Sequence, residues 1–143
     1  MTDINQCIES TLNIVWNELK YNANVIKEFG QIPEVECYPQ QLSQVFMNLL
    51  VNAGQAISGN GDIKIRTGRR NGHVEILFSD TGCGIAEENL KKIFDPFFTA
   101  KPIGKGTGLG LHVSYNIIKK HNGDITVTSE KGKGTVFAIQ LPI

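Results

Sequence analysis

Residues 104–121, Gly-Lys-Gly-Thr-Gly-Leu-Gly-Leu-His-Val-Ser-Tyr-Asn-Ile-Ile-Lys-Lys-His, constrain the fold of this chain more than any other stretch. Gly104, Gly106, Gly108 and Gly110 give a backbone that takes positive φ and approaches a ligand closely, and a helical pattern begins as they end. Leu109, Val113 and Ile117 form one apolar row of that helix and Leu111, Tyr115 and Ile118 the next, which anchors it on a core. The first turn of such a helix leaves N–H groups without intrahelical partners and carries a positive partial charge, so the stretch reads as a polyphosphate cradle. A flexible glycine linker ahead of a core helix is the competing reading. Lys119, Lys120 and His121 in the last turn, with Asn122-Gly123 as a left-handed stop, end the helix. Spacing excludes the two common phosphate loops. No G-x-x-x-x-G-K-[ST] occurs, and Leu109 and Leu111 stand where the third glycine of G-x-G-x-x-G belongs.

At 143 residues the chain fits one domain over residues 1–143, long enough to bury roughly two-thirds of the surface its unfolded form exposes. Its 14 Lys and Arg balance 14 Asp and Glu, so no global field draws it to nucleic acid or an anionic membrane, and any basic function is local. Cys7, Cys37 and Cys83 are odd in number and form no C-x-x-C, which argues against a disulfide framework and a zinc site; they read as reduced thiols of a cytoplasmic protein. Asn48 and Asn52 interrupt the most apolar region, and no apolar run approaches the ~20 residues of a membrane span. The expectation is a soluble fragment without membrane contact of its own, compatible with a membrane-anchored parent.

Along the chain, Ile4, Ile8, Leu12, Val15, Trp16 and Leu19 recur at helical spacing and predict a helix over residues 4–21, capped by Thr2 or Asp3. Val25, Ile26 and Phe29 predict a short strand ending at Gly30, and Val35 to Cys37 a second extended piece. From Pro39, suited to a first turn, Leu42, Val45, Phe46, Leu49, Leu50, Ala53 and Ile57 mark one helix face, with Gln44, Asn48, Asn52 and Gln55 opposite. Asn48 and Asn52 lie one turn apart and point the same way, where amide oxygens can meet a cation or a phosphate-bound water; a solvated polar face is the bland alternative. Alternation at residues 63–66 and 74–78 around Arg70-Asn71-Gly72 predicts a hairpin.

The second hairpin strand stops at Ser79-Asp80-Thr81-Gly82-Cys83-Gly84. A carboxylate at a strand end beside two glycines can accept a hydrogen bond from an exocyclic amine with room for a planar ring, or can simply form an Asx turn. Residues 86–93 read as a helix that Phe94-Asp95-Pro96-Phe97-Phe98 stops. Thr99 to Lys105 is poor in apolar residues and carries Lys101 and Lys105, which reads as a mobile lid with two ammonium groups in reach of phosphate. Ile125 and Val127, and then Thr135 to Leu141 beyond the turn Lys131-Gly132-Lys133-Gly134, predict two further strands.

Each signal is modest alone, but their order is specific. The sequence resembles the catalytic, ATP-binding domain of two-component sensor histidine kinases, within the superfamily shared with gyrase, heat-shock chaperone and mismatch-repair ATPases. Asn48-Leu-Leu-Val-Asn52-Ala53 is similar to the asparagine box, Asp80-Thr-Gly-Cys-Gly84 to the first glycine box, Phe94-Asp-Pro-Phe-Phe98 to the aromatic box and Gly106-Thr-Gly-Leu-Gly-Leu111 to the second glycine box. Gly134-Thr135 is similar to a late Gly-Thr of the family, and the resemblance spans about residues 38–142.

The resemblance implies an α/β fold of the Bergerat type: a two-layer sandwich, its mixed β-sheet covered on one face by three helices, with an ATP lid. It implies ATP and Mg²⁺ as cofactors. Asp80 would accept the adenine amino group, helped by a water near Thr135; Gly82 and Gly84 would shape the base pocket, with Ile85 also among the nucleotide-binding residues. Asn52 would give an oxygen to Mg²⁺, and Asn48 would contact phosphate or its hydration. Gly106, Thr107, Gly108, Leu109, Gly110 and Leu111 would hold the phosphates, and Lys105 would neutralise charge developing in phosphoryl transfer, which makes Asn48 and Lys105 the catalytic candidates.

Two departures from the family pattern matter. Gln55 stands where many relatives carry a lysine, leaving phosphate charge to Lys105 or Lys101. None of His73, His112 and His121 lies in a His-Glu phosphoacceptor context, so the acceptor histidine and its dimerising helical hairpin are expected upstream, as the partner of this domain. A response regulator receiver domain is implied as an indirect partner, and nucleic acid is not. The alternatives are an ATP-driven conformational clamp, disfavoured because Asn48 stands where water activation needs a carboxylate base, and a serine kinase of the anti-sigma-factor type or a degenerate nucleotide-binding module.

Overall fold

The computed structural model describes residues 1–21, 23–95 and 110–143. Helix α1 (Ile4–Leu19) is capped by Asp3, whose carboxylate accepts the Gln6 N–H at 3.2 Å. Strand β1 (Ala23–Phe29) follows. Of the expected second extended piece only Val35 pairs, exchanging two 2.9 Å backbone bonds with Thr2. Helix α2 (Pro39–Ala56) starts with its proline in the first turn and crosses over to β2 (Gly61–Arg70), which lies parallel to β1. Asn71 and Gly72, with φ of 51° and 79°, make the two-residue left-handed turn into β3 (His73–Asp80). After α3 (Glu87–Leu90) and α4 (Gly110–Lys120), β4 (Asp124–Glu130) and β5 (Gly134–Pro142) complete a mixed sheet in the order β1-β2-β3-β5-β4.

Strand alternation sends Ile63, Ile65, Val74, Ile76, Phe78, Phe137 and Ile139 to one face. Leu42, Val45, Phe46, Leu49 and Leu50 of α2 are buried in the same core, and Phe46 stacks on Phe78 with ring centroids 5.8 Å apart. Each such side chain contributes about 1.5–3 kcal/mol on burial, so this layer is the main source of stability. Helix α2 packs between α1 and α4, which gives the expected two-layer α/β arrangement with its three long helices. Among the described residues no helix is long and apolar enough to cross a membrane.

Three local expectations change. The helix expected over residues 86–93 ends at Leu90: Ala86 offers no side-chain cap, and Lys92 and Asp95 donate backbone bonds three residues back, to Asn89 and Lys92, as turns. Those turns still bury Ile93. In α4 Val113 is turned outward, although Ile117 of the same expected row packs against the core, and Ser114 and Ile118 form the buried line; Leu109 lies outside the described residues. Trp16 is likewise partly exposed on α1. The C-terminus of α4 behaves as read. Asn122, at φ 59°, donates its N–H to the Lys119 carbonyl and Gly123 donates to that of Ile118, the paired bonds of a Schellman stop.

Candidate functional site

The strand ends nearest the first glycine box carry a cross-strand polar row. Asp80 of β3 lies opposite Thr135 of β5, and Thr135 opposite Ser129 of β4, so the three side chains share one face. Asp80 and Thr135 are both buried. Burial raises the Asp80 carboxyl above its ordinary range, and the backbone N–H groups of Gly82 and Thr135 hold it partly back down. The Gly82 N–H donates to Oδ1 at 2.8 Å, so the Asx turn that competed with the ligand reading is present.

The loop after Asp80 is fixed by its neighbours' backbones. Cys83 donates to the Ala56 carbonyl at the end of α2, and Gly132 in the β4–β5 turn donates to the Cys83 carbonyl at 2.6 Å. A Cβ on Gly82 would lie 2.6 Å from the Ala56 oxygen. On Gly84, at φ 74°, it would overlap the Glu130 carbonyl, and on Gly134, at φ 123°, that of Asp80. Ile85 then turns its N–H to Ser129 Oγ at 2.7 Å.

The second part of the site lies between α2 and α4. Asn48 Nδ2 donates to the Gly110 carbonyl at 3.0 Å and to Ser114 Oγ at 3.1 Å, while its Oδ1 accepts from Gln44 Nε2 at 3.0 Å. Ser114 Oγ also donates to the Gly110 carbonyl, at 2.8 Å, so two side chains clasp the first residue of α4. Leu111 packs partly buried against the core. Asn52 follows Asn48 by one turn on the same side of α2.

Residues 37–143 match the family described as histidine kinase-, DNA gyrase B- and HSP90-like ATPases. The chain belongs to this family. Sporulation kinase E of Bacillus subtilis is 48% identical over 78% of the chain, and the sensor histidine kinase ZraS of Escherichia coli K12 is 38% identical over 99% of it. The chain spans only 15% and 30% of those two proteins. The solved catalytic domain of the histidine kinase ThkA superposes with a TM-score of 0.87 at 33% identity, covering 99% of this chain and 93% of that one. The fold is therefore that of histidine kinase catalytic domains, as the boxes implied.

Within this ATPase domain the structure brings Asp80, Gly82, Gly84, Ile85 and Thr135 together at one end of the sheet, and Asn48, Gly110 and Leu111 at the start of α4. Lys101, Lys105, Gly106, Thr107, Gly108 and Leu109, with the lid and the outer half of the aromatic box, lie outside the described residues. Phe94, the described start of that box, stacks on Tyr115 and Phe137 with centroids 5.4 and 6.4 Å away. Sequence reasoning passed over Ser129 and Ser114. A signal for each was available: Ser129 shares the inward parity of Ile125 and Val127, and Ser114 precedes the buried Ile118 by one turn.

Proposed function

We propose that this domain binds Mg-ATP with its adenine at Asp80 and donates the γ-phosphate to a histidine on a separate helical hairpin of the same protein, in two-component signalling. Asp80 carries the reading. It is an acceptor-only group, buried at a strand end, and that chemistry suits an exocyclic amine. Gly82 and Gly84 serve it by letting the following loop pack directly on the Ala56 and Glu130 backbones. Asn52 offers the hard oxygen that Mg²⁺ takes. Phosphate and water would supply the remaining positions of the magnesium shell. The bound ion neutralises phosphate charge. Asn48 holds α4 in place at the phosphate end, the backbone of residues 106–111 cradles the phosphates, and Lys105 and Lys101 meet developing negative charge.

The acceptor lies elsewhere because phosphoryl transfer needs a free ring nitrogen in line with the γ-phosphate. His112 has both nitrogens engaged, Nδ1 with the Phe94 carbonyl at 3.1 Å and Nε2 with Asn116 at 3.2 Å. His121 is bound likewise, Nδ1 to the Ile117 carbonyl and Nε2 to the Tyr38 N–H. His73 opens the strand that Asp80 ends, roughly 24 Å away at the rise of an extended chain. A response regulator would receive the phosphoryl group from the hairpin, and the domain would work in the cytoplasm. The test is incubation with γ-labelled ATP, alone and with the hairpin supplied in trans. Acid-labile, base-stable label on the hairpin only is the expected result; label on one of the chain's own histidines, or acid-stable label on serine, contradicts it.

A further inference from the structure

We propose that Ser129 is a positioning residue that fixes the direction of the Thr135 hydroxyl, so that the pocket wall offers only acceptors to the 6-position of a purine and prefers a 6-amino to a 6-oxo nucleotide. This rests on the reading of Asp80 as the adenine acceptor. Ser129 stands at the far end of the Asp80–Thr135–Ser129 row, on the same sheet face. A hydroxyl has one proton to give and two lone pairs. At Ser129 one lone pair takes the Ile85 N–H at 2.7 Å. The Gly134 carbonyl, 2.9 Å away, is an acceptor only and takes the Ser129 proton. Thr135 Oγ1 lies 2.8 Å from the same Ser129 oxygen, so the proton on that contact comes from Thr135.

Thr135 therefore spends its only proton on Ser129 and keeps lone pairs for the Asp80 side of the row. Two neighbouring acceptors, the Asp80 carboxylate and the Thr135 hydroxyl, suit a purine amine or a water donating between them. A 6-oxo group meets acceptor with acceptor in a buried wall, and a site built for a donor rejects an analogue that lacks one. With the Ser129 hydroxyl removed, the Thr135 hydroxyl is free to rotate and donate, and the discrimination weakens.

The experiment is calorimetric titration of the 143-residue chain with Mg-ATP and with Mg-inosine triphosphate, which differ in the 6-substituent, amino against oxo, and in the proton that the 6-oxo form carries on N1. The parent chain prefers ATP, and Ser129→Ala narrows the ATP-to-inosine-triphosphate affinity ratio about tenfold, chiefly by binding inosine triphosphate better. Loss of the bond to Ile85 weakens both nucleotides alike and cancels in that ratio. An unchanged ratio in a folded Ser129→Ala chain overturns the proposal and leaves Ser129 a structural residue. Should that variant not fold, Ser129→Cys, whose thiol is poor in both hydrogen-bonding roles, carries the same test with the same expected direction. Asp80→Asn separates the two levels. If it leaves ATP affinity and the ratio untouched, the adenine reading fails and this inference with it; if it lowers both while Ser129→Ala preserves the ratio, only the role of Ser129 falls.

Discussion

The two halves of the proposed site, the base end and the phosphate end, are held by different means. At the base end, Asp80 and Thr135 stand on neighbouring strands, and the loop between Gly82 and Ile85 is tied by backbone bonds to α2 and to the β4–β5 turn. At the phosphate end, α4 is held to α2 by side chains, with Asn48 and Ser114 meeting on the Gly110 carbonyl. A pocket wall made of strand backbone has little freedom to adjust. A helix start held by a few side-chain bonds opens at smaller cost. On the proposed function, the difference would suit reading one base faithfully while releasing and rebinding phosphates.

The comparison breaks most readily at Gly134. An alanine there must keep φ near 123° and push its methyl into the Asp80 carbonyl, which combines backbone strain with overpacking. Gly134→Ala is expected to destabilise the fold by about 3 kcal/mol or more, seen as a large drop in Tm by circular dichroism. A loss under about 1 kcal/mol would mean that the strand end can move after all. Asn48→Ala probes the softer half. It removes two hydrogen bonds to α4 but leaves Ser114 on the Gly110 carbonyl, so the expected loss is about 1 kcal/mol, with faster amide exchange confined to the first turn of α4. Uniformly faster exchange across the sheet would contradict the division.

The smallest expected effect is on pH. Burial raises Asp80 above its ordinary 3.8, so the folded chain keeps this proton to higher pH than the unfolded chain does. The stability that protonation contributes is fully present below pH 3.8 and is lost as pH rises through the folded pKa. Melting curves of the nucleotide-free chain and of Asp80→Asn should therefore shift in favour of the variant across that window and run parallel above it. ATP affinity should move the other way, falling on acidification as the acceptor is protonated. A difference between the two chains that does not vary with pH would remove Asp80 from the buried wall.

Much of this was legible in the sequence for physical reasons. The period of Leu42 to Ile57, the alternation on either side of Asn71-Gly72 and the Asn122-Gly123 stop each encode a local geometry, and each formed as read. At Asp80 the sequence left an Asx turn and a ligand acceptor both open, and the structure shows the turn while burying the carboxylate. Ser129 and Ser114 were legible only as inward-facing positions, and their partners emerge only when a register sets one beside Thr135 and a helix crossing sets the other beside Asn48. Residues 86–93 misled because acidic, helix-favouring residues predict more turns than an uncapped start sustains.

Titration of Mg-ATP into the parent chain and Asp80→Asn at neutral pH tests the adenine site most directly. The amide turns a donor toward the adenine amine and loses the charge-assisted bond, which is expected to weaken binding by roughly tenfold to a hundredfold while the circular dichroism spectrum stays unchanged. Equal affinity of the two folded chains for ATP would take Asp80 out of the nucleotide site and contradict the account.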